Sequence, residues 1–229
     1  MEQKEKDNDL AVSFTQSINT EVTETLTEYL EVGLDSNLGE GLLKDIPIIR
    51  TAVTVYKIGH TLWERDKIHK LGIFLEEINQ NVADEDKREE YLTHFKNMDN
   101  KARNKELEYI MIILGHFISN DKPKMLAKLY CAYLQGLINW EMFTTYSEVI
   151  NRLLPTDYKV LKSGEKMEMS DNFTGRDSFL RLMSLGLIAE KPRYENWIDD
   201  GNGTLSVSHP DTIEYSLTAF GIKLINILK

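Results

Sequence analysis

Arg176-Asp-Ser-Phe-Leu-Arg-Leu-Met-Ser-Leu-Gly-Leu-Ile188 and, further on, Ile213-Glu-Tyr-Ser-Leu-Thr-Ala-Phe-Gly221 are the stretches whose reading decides the fold. The first is a short amphipathic helix that stops at Gly186, because glycine accepts the left-handed backbone that closes a helix. Leu187 and Ile188 then begin extended chain. The second stretch alternates apolar and polar residues, as a half-buried strand does, and Thr218 can cap the helix that follows. Between them runs a polar loop in which Asn202-Gly203 suits the tight turn of a hairpin. This succession is the order of a winged helix-turn-helix module.

Working back from that module, the chain reads as helices. Phe14, Ile18, Val22, Leu26 and Leu30 recur every four residues and predict one helix face. Gly33 to Gly41 is a loop. Pro47 can start a helix running through Tyr56, since proline needs no amide donor in a first turn. Gly59 can break or kink it, Glu64-Arg-Asp-Lys67 is a charged interruption, and Ile68 to Ile78 restores the helical period. Helices over 84–96, 101–119, 125–137 and 142–154 follow, with a stop and restart at 119–123 and the last halted before Pro155. Thr156 can cap a further helix over Asp157 to Lys162, and Gly164 to Gly175 is polar and expected to be mobile. The fold class is therefore mainly α: a disordered N-terminus at 1–9, a helical bundle over 10–150, and a winged helix-turn-helix with a small β-hairpin over 151–229.

Bulk properties narrow the function. The 229 residues carry a formal charge of −10, which disfavours nonspecific binding to phosphate backbones. A single cysteine, Cys131, excludes an intrachain disulfide and fits a reducing cytoplasm. The N-terminus has no apolar signal core. The longest uncharged runs, Tyr109–Asn120 and Leu129–Trp140, are twelve residues each, short of the roughly twenty that a membrane helix needs. A cytoplasmic protein is expected.

No catalytic constellation emerges. Asp66 with His69, and Glu90 with His94, each place an acid and an imidazole on one helix face, but a di-iron bundle needs further glutamates on separate helices; these read as surface charge pairs. The loop Asp199 to Leu205 lacks the first aspartate and last glutamate of a calcium loop once its Asn-Gly is put in register. Cys131 lies among apolar helix positions and reads as a small core residue. There is no nucleophile elbow and no phosphate-cradling glycine loop. The chain is read as non-enzymatic, with no cofactor, no metal and no small-molecule substrate.

Two binding surfaces remain. Arg176, Arg181, Lys191 and Arg193 are the candidate macromolecule contacts of the C-terminal module. That module holds ten Lys plus Arg against eleven Asp plus Glu over residues 151–229, whereas DNA-binding modules are normally basic. A protein contact, self-association included, is the reading; a groove-reading DNA regulator is the alternative. Residues 42–75 interleave Lys44, Arg50, Lys57, Arg65, Lys67 and Lys70 with apolar residues, which admits a membrane-surface toxin as a third reading. The plainer one is a core helix whose lysines sit at the solvent edge.

The chain also resembles the bacterial abortive-infection alpha family, mainly over residues 125–229. The resemblance is carried by Met125 to Leu137, by Phe143-Thr-Thr-Tyr-Ser-Glu-Val-Ile-Asn-Arg-Leu-Leu-Pro-Thr-Asp-Tyr-Lys-Val-Leu161, and by Leu182-Met-Ser-Leu-Gly-Leu-Ile188 with Tyr215-Ser-Leu-Thr-Ala-Phe-Gly221. It implies a bacterial or phage-borne antiviral-defence protein and carries over no catalytic residues.

Overall fold

A computed structural model of the chain describes residues 10–32, 45–55, 62–82, 85–163, 167–170, 176–191, 196–199, 205–208 and 212–229. These are mainly helical, with a small complement of antiparallel strand. Two compact units meet in sequence between Asn151 and Arg152. The expected N-terminal disorder, the loop at 33–41, the break at Gly59 and the turn at Asn202-Gly203 all lie outside the described residues.

The first unit is built from helices α1 (10–16), α2 (Thr20–Val32), α3 (Pro47–Val55), α4 (Leu62–Asn81), α5 (Glu85–Asn97), α6 (Asn100–His116), α7 (Asp121–Leu134) and α8 (Trp140–Arg152). The every-fourth-residue face over 14–30 is not one helix. The chain breaks at 17–19, because the Asn19 carboxamide accepts the Val22 amide at 2.8 Å and starts a new helix there. Thr23, Thr25 and Thr27 of α2 back-bond to the carbonyls four residues earlier, as Thr23 does to Asn19 at 3.0 Å. The charged run Glu64 to Lys67 lies inside α4 and interrupts nothing.

The break has a use. Ser17 is fully buried at its end. Its hydroxyl donates to the Ser13 carbonyl at 2.8 Å and accepts the Ile48 amide at 3.0 Å. Pro47, first in α3, has no amide to satisfy; Ile48 does, and Ser17 satisfies it from another helix. Asn79 of α4 donates to the Ser17 carbonyl at 3.1 Å. One serine thus ties α1, α3 and α4 together.

The core is aromatic. Tyr130 of α7 is completely buried and touches Phe14 of α1 and Phe74 of α4 with centroids 6.1 Å away, Tyr133 at 5.9 Å and Phe143 of α8 at 5.6 Å. Trp140 stacks on Phe143 at 4.9 Å. Tilted and edge-on contacts of this kind suit the ring quadrupole and add to area burial. Cys131, next to the hub, is buried, and burial pushes its thiol up to about 12; it is a core residue with little thiolate character.

The second unit runs α9 (Pro155–Ser163), β1 (Met167–Ser170), α10 (Arg176–Ser184), β2 (Ile188–Glu190), β3 (Asn196–Asp199), β4 (Leu205–Ser208), β5 (Thr212–Leu217) and α11 (Ala219–Leu228). β5 is central to an antiparallel sheet of order β1-β5-β2, with Met167 opposite Tyr215 and Ile188 opposite Leu217. β1 falls within the stretch expected to be mobile; pairing with β5 orders it. β3 and β4 pair with each other antiparallel. Gly186 has a φ of +71°, as the stop after α10 requires. Thr218 caps α11 through the Gly221 amide at 3.0 Å and donates to the Gly186 carbonyl at 2.6 Å. A Cβ on Gly221 would stand 2.1 Å from the Leu187 carbonyl oxygen, so only glycine lets α11 approach that turn.

Ser17→Ala should lower the unfolding free energy by about 1–3 kcal/mol, the cost of leaving the buried Ile48 amide without an acceptor. Chemical denaturation of the full chain measures it; a change within error would show that the serine node is dispensable.

Candidate functional site

Of the four candidate contact residues, Arg181 has the most definite geometry. It leaves α10 toward the start of α9. There its Nε donates to the two carboxylate oxygens of Asp157 at 3.2 and 3.0 Å, and one terminal nitrogen donates at 2.7 Å. The same nitrogen donates to the Ser178 hydroxyl at 3.2 Å. Asp157 is fully buried while the Arg181 side chain is 38% exposed. Such a fork matches guanidinium to carboxylate in direction as well as charge. Arg181 is therefore the counter-ion of a buried acid.

Asp157 has a second task. It is the third residue of α9, and one oxygen accepts the Leu154 amide at 3.1 Å. Reaching back over the first turn is the acidic half of a capping box. Thr156, expected to cap this helix, is exposed within its first turn instead, because the helix begins at Pro155, two residues before Asp157. Burial alone would raise the Asp157 carboxyl; its hydrogen bonds to Arg181, Ser178 and the Leu154 amide outweigh that and hold it below the ordinary aspartate value.

The remaining candidates divide. Lys191 is paired with Glu214 across the β2–β5 edge at 2.9 Å, with both side chains about half exposed. Arg176 is exposed at the first position of α10. Arg193 lies outside the described residues. The solvent face of α10 thus presents Arg176, Asp177, Leu180 and Ser184, of which Leu180 is 51% exposed. One positive and one negative charge flank an apolar side chain.

In the first unit the described part of 42–75 is core. Ile48, Ile49, Ala52, Ile68, Leu71, Phe74 and Leu75 are all buried. Among the described residues no helix is long and apolar enough to cross a membrane. The expectation that its lysines line the solvent edge fails at Lys70, which is 2% exposed. Lys70 turns inward, pairs with Asp66 one turn back and donates to the carbonyl of Phe117 just past the end of α6. It neutralises an acid and a helix C-terminus together. His69 is buried too, and burial lowers its imidazole; Asp66 and His69 are not a surface pair. A groove of about 280 Å³ is lined by Ala52, Ile68, Leu71, Met111 and Ile112, with Lys67 and Glu108 also on its wall.

The sequence reading missed one further group. Glu106 of α6 is 6% exposed. One carboxylate oxygen accepts the Tyr133 hydroxyl at 2.6 Å, and the other is buried with no hydrogen-bond partner. Burial raises this carboxyl to about 7, against a smaller downward pull from the Tyr133 hydrogen bond. The only signal in the sequence was its place immediately before Leu107 on an apolar helix face.

No family model, curated protein or solved structure matches this chain.

Asp157→Asn should destabilise the second unit by about 1–2 kcal/mol, less than the 3–5 of a fully buried broken pair because Arg181 meets solvent. The wild-type contribution is full above the unfolded aspartate value and disappears as pH falls through the depressed folded value. Denaturation at pH 7 and pH 2.5 checks both statements: the gap between wild type and variant should close in acid.

Proposed function

We propose that this protein is a non-enzymatic antiviral-defence component of the abortive-infection kind, and that its C-terminal unit is a winged-helix variant used as a protein contact. The observation that carries the reading is the solvent face of α10. The groove-reading helix of a winged module sends basic and polar side chains to bases and phosphates. Here Arg181 is held by Asp157, Lys191 by Glu214, and the exposed face offers Arg176, Asp177, Leu180 and Ser184. An apolar residue rimmed by one charge of each sign suits a protein surface.

The chain order supports the wing. A helix ending in a left-handed glycine feeds a strand, and the antiparallel sheet closes with a capped helix. It also departs from the usual pattern. Only five residues separate β1 from α10, and the helix packed on α10 is α9, reached through β1 rather than through a short turn. A groove-reading helix is ordinarily braced by the helix just before it; α9 holds that place here, joined to α10 through β1. The defence role rests on the family resemblance of residues 125–229.

Expression in a bacterial host should lower phage plating. Leu180→Asp should restore plating while leaving circular dichroism and the melting temperature unchanged, because the position is half exposed. Unchanged plating across a broad phage panel would overturn the defence role. Duplex DNA binding at low salt that weakens steeply as salt rises would replace the protein contact with a DNA regulator.

A further inference from the structure

Glu106 occupies an unusual position for an acid. It is buried beside the aromatic hub, where Tyr133 gives it one hydrogen bond. Tyr133 in turn lies against Trp140 at 5.4 Å and Phe143 at 5.9 Å, so its ring is part of the α7–α8 packing. The second Glu106 oxygen and the Tyr130 hydroxyl are both buried without a hydrogen-bond partner. The titratable groups facing Glu106 are Tyr133 and Tyr130, both from α7. Burial pushes both phenols up, and Glu106 adds to the rise. α8 contributes the uncharged rings of Trp140 and Phe143, and among the described residues no Lys or Arg offsets the acid.

We propose that Glu106 makes the attachment of α6 to α7 proton-dependent: the neutral acid keeps the two helices closed, and its ionisation loosens them. A neutral carboxyl needs little from its surroundings, and one hydroxyl donor serves it. An ionised carboxylate in an apolar interior requires two or three donors. Meeting that need takes either water admitted beside the carboxylate or a movement of the Tyr130 side chain toward the free oxygen. Tyr130 cannot move without disturbing Phe14, Phe74 and Phe143, which its ring touches. The hub thereby couples one proton to the packing of α1, α4 and α8.

The direction of the pH effect follows from the raised carboxyl. A group that binds its proton more tightly when folded stabilises fully below its unfolded value, and the benefit is lost as pH rises through the folded one. The helical unit is thus tighter in mild acid and looser above neutrality, with the loss running upward from the ordinary glutamate value and complete above about 7. Tyr133 sets where that upper end lies, because its hydroxyl favours the ionised form.

Amide hydrogen exchange on the full chain between pH 5.5 and 8.5, corrected for the intrinsic rate, tests this. Protection in α6 and α7 should fall by about tenfold or more across the range. In Glu106→Gln the profile should be flat, with protection kept at pH 8.5. In Tyr133→Phe the fall should move to higher pH, which a merely structural loss would not produce. A flat wild-type profile would overturn the proposal, as would a Glu106→Gln variant that keeps the wild-type transition or a Tyr133→Phe variant that shifts it downward. Should either variant fail to fold, the wild-type profile alone decides.

Discussion

A carboxyl taken out of water must be matched by a cation or keep its proton, and the two units of this protein meet that constraint in opposite ways. Asp157 is matched: Arg181 forks onto it and a backbone amide completes its shell. Glu106 holds its proton up to about pH 7, because burial disfavours its charge and, among the described residues, one tyrosine hydroxyl is its donor. Each solution organises what surrounds it. The Asp157–Arg181 pair joins the start of α9 to α10 and so fixes the helix whose outer face is the candidate contact. While Glu106 holds its proton, an aromatic interior closes around a hydrogen-bonded acid without importing a charge.

The first unit shows how polar groups can sit in an apolar core without weakening it. Ser17 and Lys70 are each nearly inaccessible, and each serves a backbone group that a helix terminus leaves over. Ser17 supplies an acceptor to the first free amide of α3. Lys70 supplies a donor to the carbonyl just beyond α6. Burying a polar group costs little when the partner is one that would otherwise be orphaned. The aromatic hub at Tyr130 adds ring contacts with α1, α4 and α8 to these hydrogen-bonded ties.

Local features were legible in the sequence, and relations between distant residues were not. The stop at Gly186, the Thr218 cap, the start at Pro47 and the helices on either side of residues 117–120 all follow from neighbours within a few positions, and the structure contains each. The break at 17–19 escaped because Phe14, Ile18, Val22 and Leu26 keep a four-residue spacing across it. Strand β1 escaped because its partner β5 lies more than forty residues later. Among the candidate contacts, Arg181 looked available because its acid stands 24 residues earlier. Glu106 was silent for the same reason, since Tyr133 is 27 residues away. Charge counting bears on the same surface: a unit with a net charge of −1 has few cations to spare, and two of them are already paired.

The functional reading follows from how those charges are used. The proposed protein contact rests on a helix whose central arginine braces its own unit and whose outer face centres on a half-exposed leucine. The most direct measurement of the account is a carbon-13 titration of the side-chain carboxyls of Asp157 and Glu106 in the intact wild-type chain. The account predicts that Asp157 titrates below the ordinary aspartate value and Glu106 near 7. Midpoints for both near 4, as solvated carboxyls show, would contradict it.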